Sequence, residues 1–139
     1  MKKVGVIGLG NMGKHMAVHL VNKGFAVTVY DINEKPVREL TGMGAAGAMS
    51  PHDVALRSEV IVLSLPNAIV LSEVMQGPDG ILSAGVEGKT IIDTTSATYD
   101  ITMELAARVA EEGGWFLDSP VTGGSEGSRK ATLSIMVGG

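Results

Sequence analysis

A chain of 139 residues, 45% apolar and 19% charged, is long enough for one domain with its own core and too hydrophobic to be disordered. The net charge of −4, with no basic run, argues against nucleic acid as the main partner. No apolar stretch reaches the roughly 18–20 residues that span a bilayer, and the absence of cysteine removes disulfides and thiolate metal sites.

The N-terminus, MKKVGVIGLG, superficially resembles a secretion signal. Its apolar run is short, broken by glycines and followed by polar GNMGKH without a small-residue cleavage site, so it reads as a first strand over Lys3 to Ile7. The absence of cysteine is compatible with a reducing cytoplasm, which is the expected setting. Met12, Met16 and Leu20 recur every four residues and predict the inward face of a helix ending near Gly24. Ala26 to Tyr30 is a second strand. Glu34 to Met43 is a helix with Pro36 in its first turn, where a missing N–H does no harm. GMGAAGAMS is loop with a short strand, and Ser50-Pro51 opens a short helix through Leu56.

Val60 to Leu65 is the next strand, followed by a helix over Ile69 to Met75. Thr90 to Asp93 is a strand. Thr98 to Glu112 is a helix with Ile101, Leu105 and Val109 on one face. Trp115 to Leu117 starts a sixth strand and Leu133 to Val137 a seventh. Strands spaced by helices predict an α/β fold: one doubly wound, mostly parallel sheet of the Rossmann type, with helices on both faces. In such a sheet ligands sit beyond the carboxyl ends of the strands. Five loops fall on that edge: GLGNMG, DIN, LPN, DTTSAT and DSPVTGG.

The first loop holds G-x-G-x-x-G at Gly8, Gly10 and Gly13, between a predicted strand and a predicted helix, the context that gives the pattern meaning. Gly8 permits a tight turn, Gly10 lets backbone approach a pyrophosphate, and Gly13 allows the helix to pack closely on the strand. The helix N-terminus adds free N–H groups and the positive end of a dipole. Asp31 closes the second strand, about 20 residues after the loop, where a carboxylate accepts the hydroxyls of an adenosine ribose. It also repels a 2′-phosphate, and Ile32, Asn33 and Glu34 follow without an arginine, which favours NAD over NADP.

The stretch VIGLGNMGKHMAVHL is more specific than a general dinucleotide fingerprint. Its G-L-G-x-M-G-x-x-M-[SA] pattern resembles the N-terminal signature of the β-hydroxyacid dehydrogenases, the 3-hydroxyisobutyrate dehydrogenase-like enzymes. Three further segments resemble that family in order and spacing. SLPN (Ser64 to Asn67) is similar to its cofactor-side loop. DTTSA (Asp93 to Ala97) is similar to its D-x-S-T segment. DSPVTGGSEGSRKATLSIMVGG is similar to its substrate loop, with Thr122 and Ser128 where the family usually has Ser and Ala.

The resemblance implies roles. Gly8, Leu9, Gly10, Asn11, Met12 and Gly13 are expected around the pyrophosphate and Asp31 at the adenosine ribose. Leu65, Pro66 and Asn67 are expected along the middle of the cofactor, and Thr95 and Ser96 at the nicotinamide side. Thr122, Gly123 and Gly124 are expected to hold a small carboxylate substrate; read from the residues alone, this Gly pair with its neighbouring hydroxyl is equally an ordinary turn or an anion cradle. The family also implies a homo-oligomer, and a helical second domain whose lysine is the general acid/base. That lysine is expected beyond Gly139, so residues 1–139 read as the dinucleotide-binding domain alone, without a catalytic residue. The P-V-T-G-G loop suits a carboxylate better than the substrate of the related imine reductases. The run T-L-S-I-M-V-G-G departs from 6-phosphogluconate dehydrogenase itself. A stand-alone module that binds NAD without turnover is the alternative.

Other candidates are weaker. Lys130 has no role in the family pattern. His15 and His19 lie one helical turn apart but lack a third ligand, so no metal is expected. His52 is expected to be exposed, and Met12, Met16, Met75 and Met103 to fill core or line a pocket.

Overall fold

A computed structural model of the chain describes residues 2–95, 97–122 and 134–135. Strands β1 (Lys3–Ile7), β2 (Ala26–Tyr30), β3 (Ala46–Gly47), β4 (Val60–Leu63), β5 (Thr90–Asp93) and β6 (Trp115–Asp118) form one sheet in the order β3-β2-β1-β4-β5-β6. Every pairing in it is parallel. This is the doubly wound, Rossmann-like arrangement expected from the alternation of strands and helices.

Successive residues of each strand face opposite sides, and each side has its own core. Ile7, Ile61, Leu63, Ile91 and Phe116 point into one cluster. It is covered by α3 (Pro51–Arg57), α4 (Ala68–Gln76), α5 (Ile81–Ala84) and α6 (Tyr99–Glu111), which contribute Val54, Leu71, Met75, Ile81, Leu105 and Val109. Val6, Val27 and Val29 point into the other cluster, beneath α1 (Asn11–Asn22) and α2 (Glu34–Thr41), where Ala17 and Leu40 close it.

Four differences from the sequence reading have physical reasons. The inward face of α1 is not Met12, Met16 and Leu20: the residues it buries are Gly13 and Ala17. The helix lies so close to β1 that a Cβ on Gly13 would stand 1.8 Å from the carbonyl oxygen of Gly8, so only small residues fit the contact. Leu20 is half-buried at its edge, and Met12 is turned elsewhere. Within the last predicted strand, Leu133 to Val137, the described residues Ser134–Ile135 form β8, antiparallel to β7 (Val121–Thr122) in a separate two-stranded sheet and not part of the main one. Met103 is 50% exposed and lies outside both core clusters. His52 is half-buried: its Nδ1 meets the Ser83 hydroxyl at 2.7 Å, and its backbone N–H donates to the Asp79 carbonyl at 2.8 Å.

The carboxyl edge of the sheet is stitched beyond the strand ends. Ala48 N–H donates to the Val29 carbonyl at 2.9 Å, Gly8 to Tyr30 at 3.1 Å, and Ser64 to Ile7 at 2.9 Å. Thr94 donates to Leu63 at 2.9 Å and Ser119 to Asp93 at 2.8 Å. Each loop on this rim therefore leaves the sheet from the same level as its neighbours.

Candidate functional site

A cleft of about 490 Å³ opens on that rim where the order of the sheet reverses, between the loops that follow β1 and β4. Its floor and walls are Ile7, Gly8, Gly10, Asn11, Met12, Tyr30 and Asp31 on one side. Ser64, Leu65, Pro66, Val70 and Val74 face them, and Ile32 stands at the mouth, 91% exposed.

The three glycines of the first loop do different work. Gly8 has φ +94°, and a Cβ there would lie 2.0 Å from the Ser64 carbonyl oxygen, so the turn and the neighbouring loop both demand glycine. Gly13 is demanded by the close seat of α1. Among the described residues nothing demands Gly10: a Cβ on it would have no atom within 4 Å. That open space faces the cleft. Gly10 is also the N-cap of α1, and no side chain caps this end and no acidic residue sits in its first turn. In contrast, Asn33, Ser50 and Asn67 cap α2, α3 and α4 through their side chains. The first turn of α1 thus presents a positive dipole end to the cleft.

Asp31 lies in the loop after β2, across the cleft from Ser64, Leu65 and Pro66. Its Oδ2 accepts the backbone N–H of Leu9 at 2.7 Å and its Oδ1 that of Asn33 at 2.8 Å. The wall at Leu65 is held from behind. Thr95 is 3% exposed, its hydroxyl accepts the Leu65 N–H at 3.1 Å, and its own N–H donates to Asp93 Oδ1 at 2.9 Å. Asp93 is wholly buried on the same face as Leu63, its register neighbour, and its Oδ2 has no hydrogen-bond partner among the described residues. Burial pushes the Asp93 carboxyl up from 3.8 to about 6. Hydrogen bonding from Thr95 opposes the rise, and the Asp118 carboxylate adds to it.

Of the residues singled out in the sequence, Gly8, Gly10, Asn11, Met12, Asp31, Leu65 and Pro66 come together around this cleft. Leu9 is not in the cleft lining: it is buried in the core, and its N–H is bonded to Asp31. Gly13 lies under the loop. Asn67 is exposed, outside the cleft lining, and spends its Oδ1 on capping α4 through the Val70 N–H at 3.0 Å. Thr95 stands behind the wall and not on it. Thr122 belongs to β7. Ser96, Gly123, Gly124 and Lys130 lie outside the described residues.

Sequence reasoning missed Ile32, Val70 and Val74, which make the cleft walls apolar. The i, i+4 spacing of Val70 and Val74 on α4 was the available signal. It also missed Asp93. Among the described residues no three His, Asp or Glu side chains gather as a metal site, and no helix is long and apolar enough to cross a membrane.

The family model described as the NAD binding domain of 6-phosphogluconate dehydrogenase matches residues 3–139. The 2-(hydroxymethyl)glutarate dehydrogenase of Eubacterium barkeri is 42% identical over 136 residues, which cover 98% of this chain and 45% of that protein. The mitochondrial 3-hydroxyisobutyrate dehydrogenase of Rattus norvegicus is 38% identical over 136 residues, covering 98% of this chain and 41% of that one. The solved structure of Mycobacterium tuberculosis 3-hydroxyisobutyrate dehydrogenase with L-serine matches with a TM-score of 0.91 at 29% identity, over 100% of this chain and 47% of its own. The chain spans less than half the length of the curated relatives it matches.

Proposed function

We propose that this chain, which belongs to the β-hydroxyacid dehydrogenase family through an NAD binding domain of the 6-phosphogluconate dehydrogenase type, binds NAD in the rim cleft as one half of an enzyme that moves a hydride to or from a small hydroxy acid. The observation that carries this reading is Gly10. Its missing side chain leaves open space at the uncapped N-terminus of a helix, inside the same cleft as Asp31. A phosphate group fills such a cradle, and a Cβ would obstruct it.

In this reading Gly8, Gly10, Asn11 and Met12 surround the pyrophosphate. Asp31 accepts the ribose hydroxyls of the adenosine half. Leu65 and Pro66 border the middle of the cofactor, and Ser96 contacts the nicotinamide half. Bound nicotinamide supplies or accepts the hydride. Asp31 sets the choice of NAD over NADP: a 2′-phosphate would meet its carboxylate, and no arginine follows to neutralise the phosphate. Thr122, Gly123 and Gly124 hold the substrate carboxylate through backbone N–H groups and a hydroxyl. The proton that must leave or reach the substrate oxygen is handled by a lysine of a second, helical domain.

Fluorescence titration with NADH tests the cleft. Saturable binding is expected, weaker by at least tenfold in Gly10→Ala at unchanged melting temperature, and weaker for NADPH than for NADH. Absence of saturable binding by the wild-type chain would overturn the reading. The 139-residue chain alone is expected to turn over no hydroxy acid. A kcat on the order of 1–10³ s⁻¹ for it would refute the placement of the acid/base elsewhere.

A further inference from the structure

The bonds Asp31 already makes point to a role beyond the ribose. Its Oδ2 reaches across 22 residues of sequence to the Leu9 N–H at 2.7 Å, while Oδ1 takes the Asn33 N–H at 2.8 Å. Both distances are in the range of hydrogen bonds strengthened by charge. Asn33 passes the connection on, because its Oδ1 accepts the Lys35 N–H at 3.1 Å and caps α2. One carboxylate therefore fastens the glycine loop to the start of the second helix.

The position of this fastening matters. Up to Leu9 the loop is tied down: Gly8 N–H bonds the Tyr30 carbonyl at 3.1 Å, and the Leu9 side chain is only 3% exposed in the core. After Leu9 comes Gly10, with nothing around its Cβ position, and then the open end of α1. The Asp31 bond to Leu9 is thus the last anchor before the backbone that faces the cleft.

We infer that Asp31 is a positioning residue for the glycine loop, whose carboxylate sets the direction of the phosphate-facing backbone before any cofactor arrives. The inference rests on the dinucleotide reading of the cleft and adds a coupling to it. The preference between NAD and NADP, and the affinity for both, are carried by the same two oxygen atoms. A substitution made to admit a 2′-phosphate also loosens the pyrophosphate cradle. Asp31 variants therefore weaken even ligands that have no ribose hydroxyl to offer.

The test pairs a ligand-free measurement with a ligand that separates the two roles. Amide hydrogen exchange is followed at Leu9 and Asn33 in the unliganded wild-type chain and in Asp31→Ala, with Val6 and Val62 as sheet references. Binding is measured for NADH and for 2′,3′-dideoxy-ADP, whose ribose lacks both hydroxyls. In Asp31→Ala the Leu9 and Asn33 amides are expected to exchange at least tenfold faster, as befits loss of a charged acceptor, with Val6 and Val62 unchanged. The dideoxy nucleotide is expected to bind at least fivefold more weakly. Asp31→Asn keeps a neutral oxygen, so it retains one of the two protections and folds even where the alanine variant does not. Equal binding of the dideoxy nucleotide by wild type and Asp31→Ala, with only NADH weakened, would overturn the inference and leave Asp31 a ribose contact. So would unchanged Leu9 exchange. If wild type binds neither nucleotide, the dinucleotide reading fails, and the exchange rates of the free chain still decide the positioning role.

Discussion

The hydroxyl of Thr95 accepts the backbone N–H of Leu65 at 3.1 Å, so the loop after β5 holds up the wall that the loop after β4 presents to the cleft. Thr95 is itself aimed by its N–H bond to Asp93. Thr95→Val keeps the shape and removes the acceptor, which leaves the part-buried Leu65 N–H without it, at a cost of about 1 kcal/mol. Thermal melting should show that loss in Thr95→Val and recovery in Thr95→Ser. A serine variant as unstable as the valine one would mean that the methyl group and not the hydroxyl is what counts.

Asp93 makes stability depend on pH in the direction opposite to a salt-bridged carboxylate. Its folded value is about 6 against an ordinary 3.8, so between those limits the folded chain holds a proton that the unfolded chain has lost. Stability contributed by this group therefore rises as pH falls from above 6 toward 4, and is lost as pH rises through 6. Asp93→Asn keeps the acceptor for Thr95 and cannot ionise. It should raise stability above pH 7 by an amount on the order of 3 kcal/mol at most, and flatten the profile between pH 4 and 6. Denaturant titrations at several pH values check this. Parallel profiles for the two proteins would mean that Asp93 is ionised throughout.

The glycines of β1 and α1 should separate by what a methyl group would strike. At Gly13 the obstacle is backbone, the Gly8 carbonyl oxygen at 1.8 Å. At Gly5 it is the ends of side chains, Val54 Cγ1 at 2.3 Å and Ser58 Oγ at 2.6 Å. Gly5→Ala is expected to cost about 1–3 kcal/mol as those tips shift, and Gly13→Ala more than about 3 kcal/mol, because α1 must lift from the sheet. Chemical denaturation gives both values; the reverse ranking would show that α1 is free to move.

The large pieces of this fold were legible because large side chains wrote them. The β-branched runs of β1, β2, β4 and β5 announce buried parallel strands, and Leu105 with Val109 announces the buried face of α6. Where packing is tightest the signal inverts: α1 meets β1 through Gly13 and Ala17, so the hydrophobic period of Met12 and Met16 points away from the true contact. The helix α5 is four residues long, too short to display a period. In the candidate site, Gly8, Gly10 and Asp31 stand out because their conformations and charges are rare at such positions. Asp93 does not. It closes a predicted strand and is followed by Thr94, Thr95 and Ser96, and nothing local marks it as buried, because its register neighbours Leu63 and Asp118 come from other strands.

The stitched rim has one more consequence, a metric one. Neighbouring strands in a sheet are about 4.8 Å apart, and the rim bonds of 2.8–3.1 Å keep that interval out to the first residue of each loop. The edge is thereby a ruler whose marks are the loops after β2, β1, β4, β5 and β6. From Asp31, just past β2, to Asp118, at the end of β6, there are four intervals, about 19 Å in all. A mononucleotide held at Asp31 touches only the first marks. A molecule that touches both the first mark and the last must be long and extended.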